Sequence, residues 1–196
     1  MARIALVLLA AGTSQRFAGP KLDIDWGGQP LLRRQLQAAL GSKAAFVAVV
    51  LGAYAQRYQA CALPDPRLTI LYNPEWQDGL GRSIACGVQE ADERAADGVL
   101  LALADQIALQ PSVLDALADR LAVDPGTPVA CRYDGRLGPP AAFGRKWFPA
   151  LRLLRGDQGA QRLLREAPHV DVLEWPEGAF DVDTPEDWLR WRPNPR

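Results

Sequence analysis

The stretch Ile4-Ala-Leu-Val-Leu-Leu-Ala-Ala-Gly12 is an uninterrupted apolar run that ends at a glycine. A run of this length, bounded by a turn residue, predicts a β-strand that is buried on both faces. Further apolar runs follow at Phe46–Leu51, Leu68–Tyr72 and Val99–Leu103, with helical patterns between most of them. Strands that alternate with helices in this way indicate βαβ units, so we expect an α/β fold with a mostly parallel sheet.

The remaining patterns complete a single Rossmann-like domain with helices on both faces of the sheet. The predicted helices are Leu31–Leu40, Ser83–Ala95, Pro111–Leu121, Asp157–Glu166 and Pro185–Arg192, and two more predicted strands are Val129–Arg132 and Val170–Leu173. We expect the domain to span residues 1–192, followed by a short tail at 193–196. Ligands of open α/β sheets bind beyond the carboxyl ends of the strands, so polar residues that directly follow strands are candidates for a functional site.

The composition is that of an ordinary globular protein, with 48% hydrophobic residues, 23% charged residues and a net charge of −1. This balance gives no reason to expect nucleic acid or a membrane surface as a partner. The three cysteines have no paired spacing, which favours a reducing compartment over a disulfide framework. The apolar start is too short for a membrane span and lacks a signal-peptide cleavage region, so we expect a cytoplasmic protein.

Positive charge is concentrated in two segments of the chain. Residues 1–21 carry three cations and no acid, and residues 132–165 carry eight cations against two acids, a local balance of +6. In a nearly neutral protein, such segments are typical either of a site for a polyphosphorylated small molecule or of solvated faces.

The loop after the first strand has the sequence Ala10-Ala-Gly-Thr-Ser-Gln-Arg-Phe-Ala-Gly-Pro-Lys21. Its glycine and small residues let backbone N–H groups approach phosphates, its hydroxyls add donors, and its two cations can bind phosphate oxygens. It fits neither the Walker pattern nor GxGxxG, and a plain turn after a buried strand is the alternative. The residues predicted to contact a nucleotide here are Ala10, Ala11, Gly12, Thr13, Ser14, Arg16 and Lys21.

Two carboxylates are candidates for a metal site. Asp105 ends the apolar run Leu101-Ala-Leu-Ala-Asp105-Gln106, and Asp183 lies in Asp181-Val-Asp183-Thr-Pro-Glu-Asp-Trp188. Mg²⁺ prefers one or two carboxylates together with substrate phosphates and water. Each candidate has a structural alternative, because Asp105 could cap the next helix and the Asp183 segment also carries the signal of a helix start.

Two later loops contain glycines beside predicted helices. Asn73-Pro-Glu-Trp-Gln-Asp-Gly79-Leu-Gly-Arg-Ser83 precedes the third helix, whose N-terminus could meet a phosphate or a base. Leu154-Arg-Gly-Asp157 precedes a short basic helix, which could receive an anion or could simply be solvated. The single histidine, His169, excludes a His/Cys metal cluster, and a Ser-His-Asp hydrolase is disfavoured because no GxSxG segment is present.

Taken in order, these segments resemble the molybdenum cofactor cytidylyltransferase family, among the MobA-like nucleotidyltransferases with a glycosyltransferase-A-like fold. The family pattern LAAGxSxRxGxxK is similar to Leu9–Lys21, with one extra residue before the final glycine-Pro-Lys. The other family segments are matched by Asn73, Trp76, Gly79 and Ser83, by Asp105-Gln106-Ile107, by Gly138–Phe143, by Gly156–Gln161 and by Asp181–Asp187. The chain departs from the family in having Ile107 for a proline and Gln161 for an arginine, which Arg162 follows.

The resemblance implies a magnesium-dependent transfer of CMP from CTP to the terminal phosphate of a molybdopterin-type cofactor, with Mn²⁺ as a possible substitute for Mg²⁺. It implies catalytic roles for Arg16, Lys21 and Asp105 and metal binding by Asp105 and Asp183. The nucleotide would also contact Asn73, Gly79 and Ser83, and the implied acceptor-binding residues are Gln106, Gly138, Pro140, Asp157 and Arg162. By the same resemblance, the Ala-Ala-Gly start of the loop is associated with family members that bind cytidine nucleotides.

Three alternatives remain open at the level of sequence. A related enzyme could use GTP, or another phosphorylated acceptor such as a sugar phosphate or methylerythritol phosphate. A nonenzymatic carrier or insertion factor could bind the molybdenum cofactor and hand it to a dehydrogenase. For the enzyme, a transient contact with a molybdenum hydroxylase is a further expected partner interaction. A nucleotide-sensing regulator is the third alternative. The paired carboxylates favour catalysis, because a carrier does not need them.

Overall fold

A seven-stranded sheet forms the centre of the computed structural model, which describes residues 2–14, 17, 19–157, 159–180 and 187–188. The strands are β1 (Ile4–Ala10), β2 (Phe46–Leu51), β3 (Leu68–Tyr72), β4 (Gly98–Leu103), β5 (Val129–Tyr133), β6 (Arg136–Gly144) and β7 (Asp171–Glu174). Their order in the sheet is β3-β2-β1-β4-β6-β5-β7. Only β6 runs against its neighbours, so the mostly parallel sheet expected from the sequence is confirmed.

Helices cover both faces of this sheet. They are α1 (Leu31–Leu40), α2 (Ala55–Tyr58), α3 (Leu80–Glu93), α4 (Pro111–Val123), α5 (Phe148–Arg152) and α6 (Gln161–Glu166). Short 3-10 turns lie at Lys21–Asp23, Gln59–Cys61, Trp76–Asp78, Arg145–Trp147 and Pro176–Ala179. No helix in the described ranges is long and apolar enough to cross a membrane.

Strand β1 is buried on both faces, as its continuous apolar sequence predicted. Leu6 and Leu8 pack into the core beneath α1 and α4, while Val7 and Leu9 pack into the core beneath α3, α5 and α6. Alternate residues of a strand point to opposite faces, so one unbroken apolar run supplies both cores. Every residue of β1 is at most 7% exposed.

The structure differs from the sequence prediction mainly in the second half of the chain. Strand β6 was not predicted, because Gly138-Pro-Pro has the composition of a turn. The two prolines fit here because the ladder between β5 and β6 has an irregularity at Ala130/Cys131, beside the unpaired prolines. Helix α3 begins three residues earlier than predicted, helix α6 begins at Gln161, and the predicted helix Pro185–Arg192 lies outside the described residues except at 187–188.

Candidate nucleotide-binding cleft

A cleft of about 540 Å³ opens where β1 and β4 end. These strands are parallel neighbours, with Leu9 beside Leu103, so the residues that follow them meet at one edge of the sheet. The backbone N–H of Ala104 donates to the carbonyl of Leu9 at 3.0 Å and holds the two strand ends together. The cleft is lined by Leu9, Ala11, Gly12, Thr13, Ser14, Lys21, Trp76, Gln77, Gly79, Leu80, Ser83, Leu103, Asp105 and Asp157.

An ion pair joins two of the predicted catalytic residues. Lys21 Nζ donates to Asp105 Oδ2 at 2.7 Å, although 84 residues separate them in the sequence. The Lys21 side chain is 9% exposed and that of Asp105 is 27% exposed, so the pair lies in the cleft wall rather than on the open surface. Charges in such partly desolvated surroundings interact more strongly than surface pairs.

The second carboxylate oxygen of Asp105 has different surroundings. Asp105 Oδ1 is buried and has no hydrogen-bond partner within the described part of the chain. A buried, unpartnered carboxylate oxygen normally costs free energy unless something binds it. Because hard divalent cations prefer such oxygens, the residue fits a metal ligand. Asp183, the predicted second ligand, lies outside the described residues, among which no cluster of three or more metal-binding side chains occurs.

The first loop is fixed from behind by the segment after β2. The backbone N–H of Ala53 donates to the carbonyl of Ala11 at 3.1 Å, and the Tyr54 hydroxyl donates to the carbonyl of Thr13 at 3.2 Å. Gly52 lies so close that an added Cβ would be 2.6 Å from the Ala11 carbonyl. These contacts thus fix the carbonyl groups of Ala11 and Thr13 on the rear side of the loop.

Its donors remain available on the cleft side. No other described residue accepts a hydrogen bond from the backbone N–H groups of Gly12, Thr13 and Ser14. The same holds for the side-chain hydroxyls of Thr13 and Ser14. These groups line the cleft together with Lys21, an arrangement suited to phosphate oxygens. Arg16, predicted to bind the same phosphates, lies outside the described residues.

The N-terminus of α3 forms the opposite wall. Gly79 caps this 14-residue helix without a side-chain hydrogen bond, and Leu80 and Ser83 line the cleft. The positive end of the helix dipole therefore faces the cavity and favours an anion there. Asn73 is buried, and its Nδ2 donates to Ser83 Oγ at 3.0 Å. Asn73 thus touches the wall from behind, while Gly79 and Ser83 reach the cavity.

A loop from the far end of the chain docks on this helix start. Gly81 N donates to the carbonyl of Gly156, and Gly156 N donates to the carbonyl of Asp78, both at 2.9 Å. Gly79 has φ +90°, and an added Cβ would be 2.4 Å from the backbone of Gly156. This close approach places Asp157 in the cleft wall.

A second lobe of about 260 Å³ continues from the cleft. Both lobes share Leu9, Leu80, Leu103 and Asp157. The additional walls of this second lobe are mainly apolar and are formed by Ile84, Leu101, Tyr133, Arg136, Gly138, Pro139, Ala141, Gly159, Ala160, Gln161 and Leu164. The first lobe therefore suits an anionic ligand, and the second lobe suits a less polar ligand.

The predicted acceptor-binding residues have three different placements. Gly138 and Asp157 line the second lobe. Gln106 is 1% exposed, and its Nε2 donates to the Pro139 carbonyl at 2.8 Å, so it supports that strand from behind. Pro140 is likewise buried. Arg162 lies outside both lobes, where its Nε pairs with Glu166 at 2.9 Å.

Some residues in or behind the cleft had no predicted role. Tyr54 supports the phosphate-facing loop, and the sequence contains no local signal for this contact. Trp76 lines the first lobe; the sequence placed it in a candidate loop and in a segment that resembles the family pattern, but gave it no binding role. Gln161 and Leu164 line the second lobe, and their helical i, i+3 spacing was a signal that could have indicated one shared face.

Comparison with known proteins identifies the family. The model of the MobA-like NTP transferase domain matches residues 6–172. The chain belongs to this family. That membership confirms the group of nucleotidyltransferases indicated by the sequence motifs. The matched residues include most of β1 and the strands that line the second lobe.

Two curated relatives cover nearly the whole chain. The purine catabolism protein PucB of Bacillus subtilis (strain 168) is 31% identical over 192 residues, covering 93% of this chain and 92% of PucB. The nicotine blue oxidoreductase of Paenarthrobacter nicotinovorans is 32% identical over 196 residues, covering 94% of each chain. The chain is therefore similar to proteins whose names describe different activities.

Solved structures share the fold. Rv0371c from Mycobacterium tuberculosis H37Rv superposes with a TM-score of 0.80 at 29% identity, covering 96% of this chain and 97% of the other. A structure of Rv0371c in complex with manganese gives a TM-score of 0.73 at 28% identity, with coverage of 97% and 98%. A nucleotidyl transferase from Methanothermobacter thermautotroptrophicus, Mth528, has a TM-score of 0.81 at 23% identity, with coverage of 96% and 95%, and shows the same fold.

Proposed function

We propose that this protein transfers CMP from CTP to the terminal phosphate of a molybdopterin-type cofactor and releases pyrophosphate. The observation that carries the proposal is the cleft in which Lys21, Asp105 and the donors of residues 12–14 meet the N-terminus of α3. Lys21, the helix N-terminus and the N–H groups of residues 12–14, which have no partner among the described residues, all favour a triphosphate. Asp105 Oδ1, which has no partner in the described part of the chain, favours its metal ion.

The reaction joins two phosphates and needs no covalent intermediate with the protein. An oxygen of the acceptor phosphate attacks the α-phosphorus of CTP, and the bond from that phosphorus to the bridging oxygen of the β-phosphate breaks. The electron pair leaves with pyrophosphate. No general base is required, because the attacking phosphate is already ionised at neutral pH. Positioning and charge neutralisation therefore supply most of the rate enhancement.

Each described group has a role in that scheme. The N–H groups and hydroxyls of Thr13 and Ser14 would bind the β- and γ-phosphates, and Lys21 would neutralise the leaving pyrophosphate. Asp105, with Asp183 as the predicted second ligand, would hold a divalent cation, Mg²⁺ or Mn²⁺, which when bound offsets the charge of the triphosphate. Rv0371c has been solved with manganese, and this supports a cation of that class here.

The choice of CTP and acceptor rests on the motifs of this chain. The relatives bear the names of a purine catabolism protein and an oxidoreductase, so similarity within the family does not determine the acceptor. The Ala10-Ala11-Gly12 sequence favours a cytidine nucleotide by its resemblance to the cytidylyl-transferring members. The apolar second lobe suits the ring system of a pterin. A transient contact with a molybdenum hydroxylase stays a prediction.

A pyrophosphate-release assay tests the proposal. Each of the four nucleoside triphosphates is combined with molybdopterin, with a sugar phosphate or with methylerythritol phosphate, in the presence of Mg²⁺ or Mn²⁺. We expect release only with CTP, molybdopterin and a divalent cation, and none in EDTA. Turnover of a sugar phosphate would reject the acceptor, and turnover of GTP would reject the nucleotide. Tight binding of the cofactor with no turnover of any triphosphate would favour a carrier.

A further inference from the structure

The basic segment at residues 132–165 separates into two groups of side chains in the structure. Four of its eight cations form ion pairs with carboxylates. These pairs are Arg132 with Glu174, Arg145 with Asp92, Arg152 with Asp92, and Arg162 with Glu166. Among the described residues, the other four cations form no such pair. They are Arg136, Lys146, Arg155 and Arg165.

Two of these four cations lie together at the outer end of the second lobe. A hollow of about 300 Å³ is lined by Arg136, Leu137, Gln161, Leu164 and Arg165. Three of the residues that line it also line the second lobe, so the hollow continues that lobe outward. The two remaining cations are elsewhere: one lies over the ring of Trp147 and the other lines a separate hollow.

With respect to the described residues, the guanidinium groups at this hollow keep most of their donors. Arg165 Nη2 donates to Gln161 Oε1 at 3.4 Å, and Gln161 Nε2 donates to the Leu137 carbonyl at 3.4 Å. The Arg136 guanidinium lies 5.9 Å from the ring centre of Tyr133. A guanidinium has five N–H donors, and these contacts use few of them. Two such groups on one hollow are suited to an anion.

We propose that Arg136 and Arg165 bind a second anionic group of the acceptor, distinct from the phosphate that attacks the nucleotide. This inference rests on the proposed function, because the attacking phosphate must lie beside Lys21 and Asp105 in the first lobe. The arginines lie across the apolar walls of the second lobe from that pair. The acceptor class is therefore a molecule whose two anionic groups are separated by a less polar body. Molybdopterin belongs to this class, since it carries an ene-dithiolate and a phosphate, whereas methylerythritol phosphate has a single anionic group.

Steady-state kinetics of Arg136→Gln, Arg165→Gln and the double variant test the inference. We expect the KM for molybdopterin to rise roughly tenfold or more in each single variant, because a charge-assisted hydrogen bond is lost. The KM for CTP should not change. Arg132→Gln is the matched control, since Arg132 is also exposed, lies on the strand paired with β6 and binds Glu174 instead. A rise in acceptor KM no larger than that of the control would overturn the inference.

Arginine footprinting supplies a readout that does not depend on turnover. The wild-type protein is treated with phenylglyoxal, with and without molybdopterin or methylerythritol phosphate, and modification at each arginine is measured by mass spectrometry. We expect molybdopterin to protect Arg136 and Arg165 severalfold and methylerythritol phosphate to protect neither. Protection of Arg162 in their place would also contradict the inference.

The two assays distinguish failure of the inference from failure of the proposed function. If pyrophosphate is released but the double variant behaves as Arg132→Gln and neither arginine is protected, the function stands and the inference falls. If no triphosphate is turned over but molybdopterin protects both arginines, the binding site stands and the proposed reaction falls. Absence of both turnover and protection overturns both.

Discussion

The two carboxylate oxygens of Asp105 have different surroundings, and this difference makes the residue a sharp test of the site. One oxygen accepts from Lys21 at 2.7 Å, and the other is buried without a described partner. Asp105→Asn keeps an acceptor for Lys21 but removes the negative charge that a cation needs. We expect pyrophosphate release to fall on the order of 10²–10³-fold, while the circular dichroism spectrum stays that of the folded protein.

Asp119→Asn is the control for this change. Asp119 is an exposed aspartate that pairs with Lys43 far from the cleft. Its loss should leave turnover within about twofold of wild type, because exposed pairs contribute little. Near-normal pyrophosphate release by Asp105→Asn would remove this residue from the metal site.

Tyr54 gives a second prediction at the scale of one residue. Its hydroxyl donates to the Thr13 carbonyl at 3.2 Å and so fixes the back of the phosphate-facing loop. Tyr54→Phe keeps the ring, which packs edge-on against Tyr58, and removes only the hydrogen bond. A lost hydrogen bond of this kind costs about 0.5–1.5 kcal/mol, so we expect the KM for CTP to rise roughly two- to tenfold.

The matched control for this variant is Tyr72→Phe, because Tyr72 is 60% exposed and does not line the cleft. The KM for CTP is measured by titration of CTP at saturating acceptor. An unchanged value in Tyr54→Phe would mean that the loop keeps its conformation without this hydroxyl.

At the scale of elements, sequence periodicity was sufficient where one segment carries its own signal. β1 to β4 and α1 were predicted to within about one residue, because apolar runs and caps are local features. Strand β6 could not be predicted, since its prolines are tolerated only beside the irregularity in its pairing with β5. The start of α3 was placed late, because Gly79 caps it through backbone geometry and not through a side chain.

The docking of two loops at the start of α3 leads to a prediction at this scale. Gly79→Ala would place a Cβ 2.4 Å from the backbone of Gly156 and would also have to adopt φ +90°. The loop must therefore move away, and the hydrogen bonds from Gly81 N to the Gly156 carbonyl and from Gly156 N to the Asp78 carbonyl should break. We expect a lower urea midpoint and faster amide hydrogen exchange at both of these glycines.

Gly135→Ala is a control that places an alanine at positive φ without a collision. Gly135 has φ +71° in the turn between β5 and β6, and an added Cβ there would have no atom of the described residues within 4 Å. Both variants place an alanine at positive φ, where a Cβ is strained. Gly79 also has ψ −179°, a combination that is essentially confined to glycine, and only Gly79→Ala carries the collision. Equal loss of stability in the two variants would show that the loops are not held together as closely as the structure has them.

At the scale of the whole molecule, the candidate site combines residues that the sequence could predict with residues that it could not. Lys21 and Asp105 were predicted together, because both follow parallel strands that end at one edge of the sheet. The resemblance pointed to Arg162 as an acceptor-binding residue, and that role stays a prediction. The structure places Arg165, and not Arg162, on the helical face with Gln161 and Leu164 that lines the hollow beside the second lobe. Which face of α6 meets the lobe depends on packing across the molecule, which no local motif records.

Burial in the core also sets how the stability of the whole protein depends on pH. Cys131 on β5 is 0% exposed, and this burial raises the pKa of its thiol from 9.0 to about 12. In the unfolded chain the thiol ionises near its ordinary pKa, so above that pH the unfolded state binds fewer protons than the folded state. The contribution of the Cys131 thiol to the free energy of unfolding is therefore fully present below about pH 9 and is lost as pH rises towards about 12.

Cys131→Ala removes this titration, so the free energy of unfolding of the variant should decline less steeply as pH rises. Between pH 9 and pH 10, the wild-type free energy of unfolding should fall by about 1 kcal/mol more than that of the variant. Other buried groups that titrate in this range, such as Tyr58 and Cys61, whose pKa values are also raised by burial, are common to both proteins and cancel in the difference. The constant loss of packing in the variant cancels as well, because only the slope is compared. Urea unfolding under reducing conditions at pH 8, 9 and 10 measures both slopes, and parallel slopes would show that the thiol does not resist ionisation in the folded core.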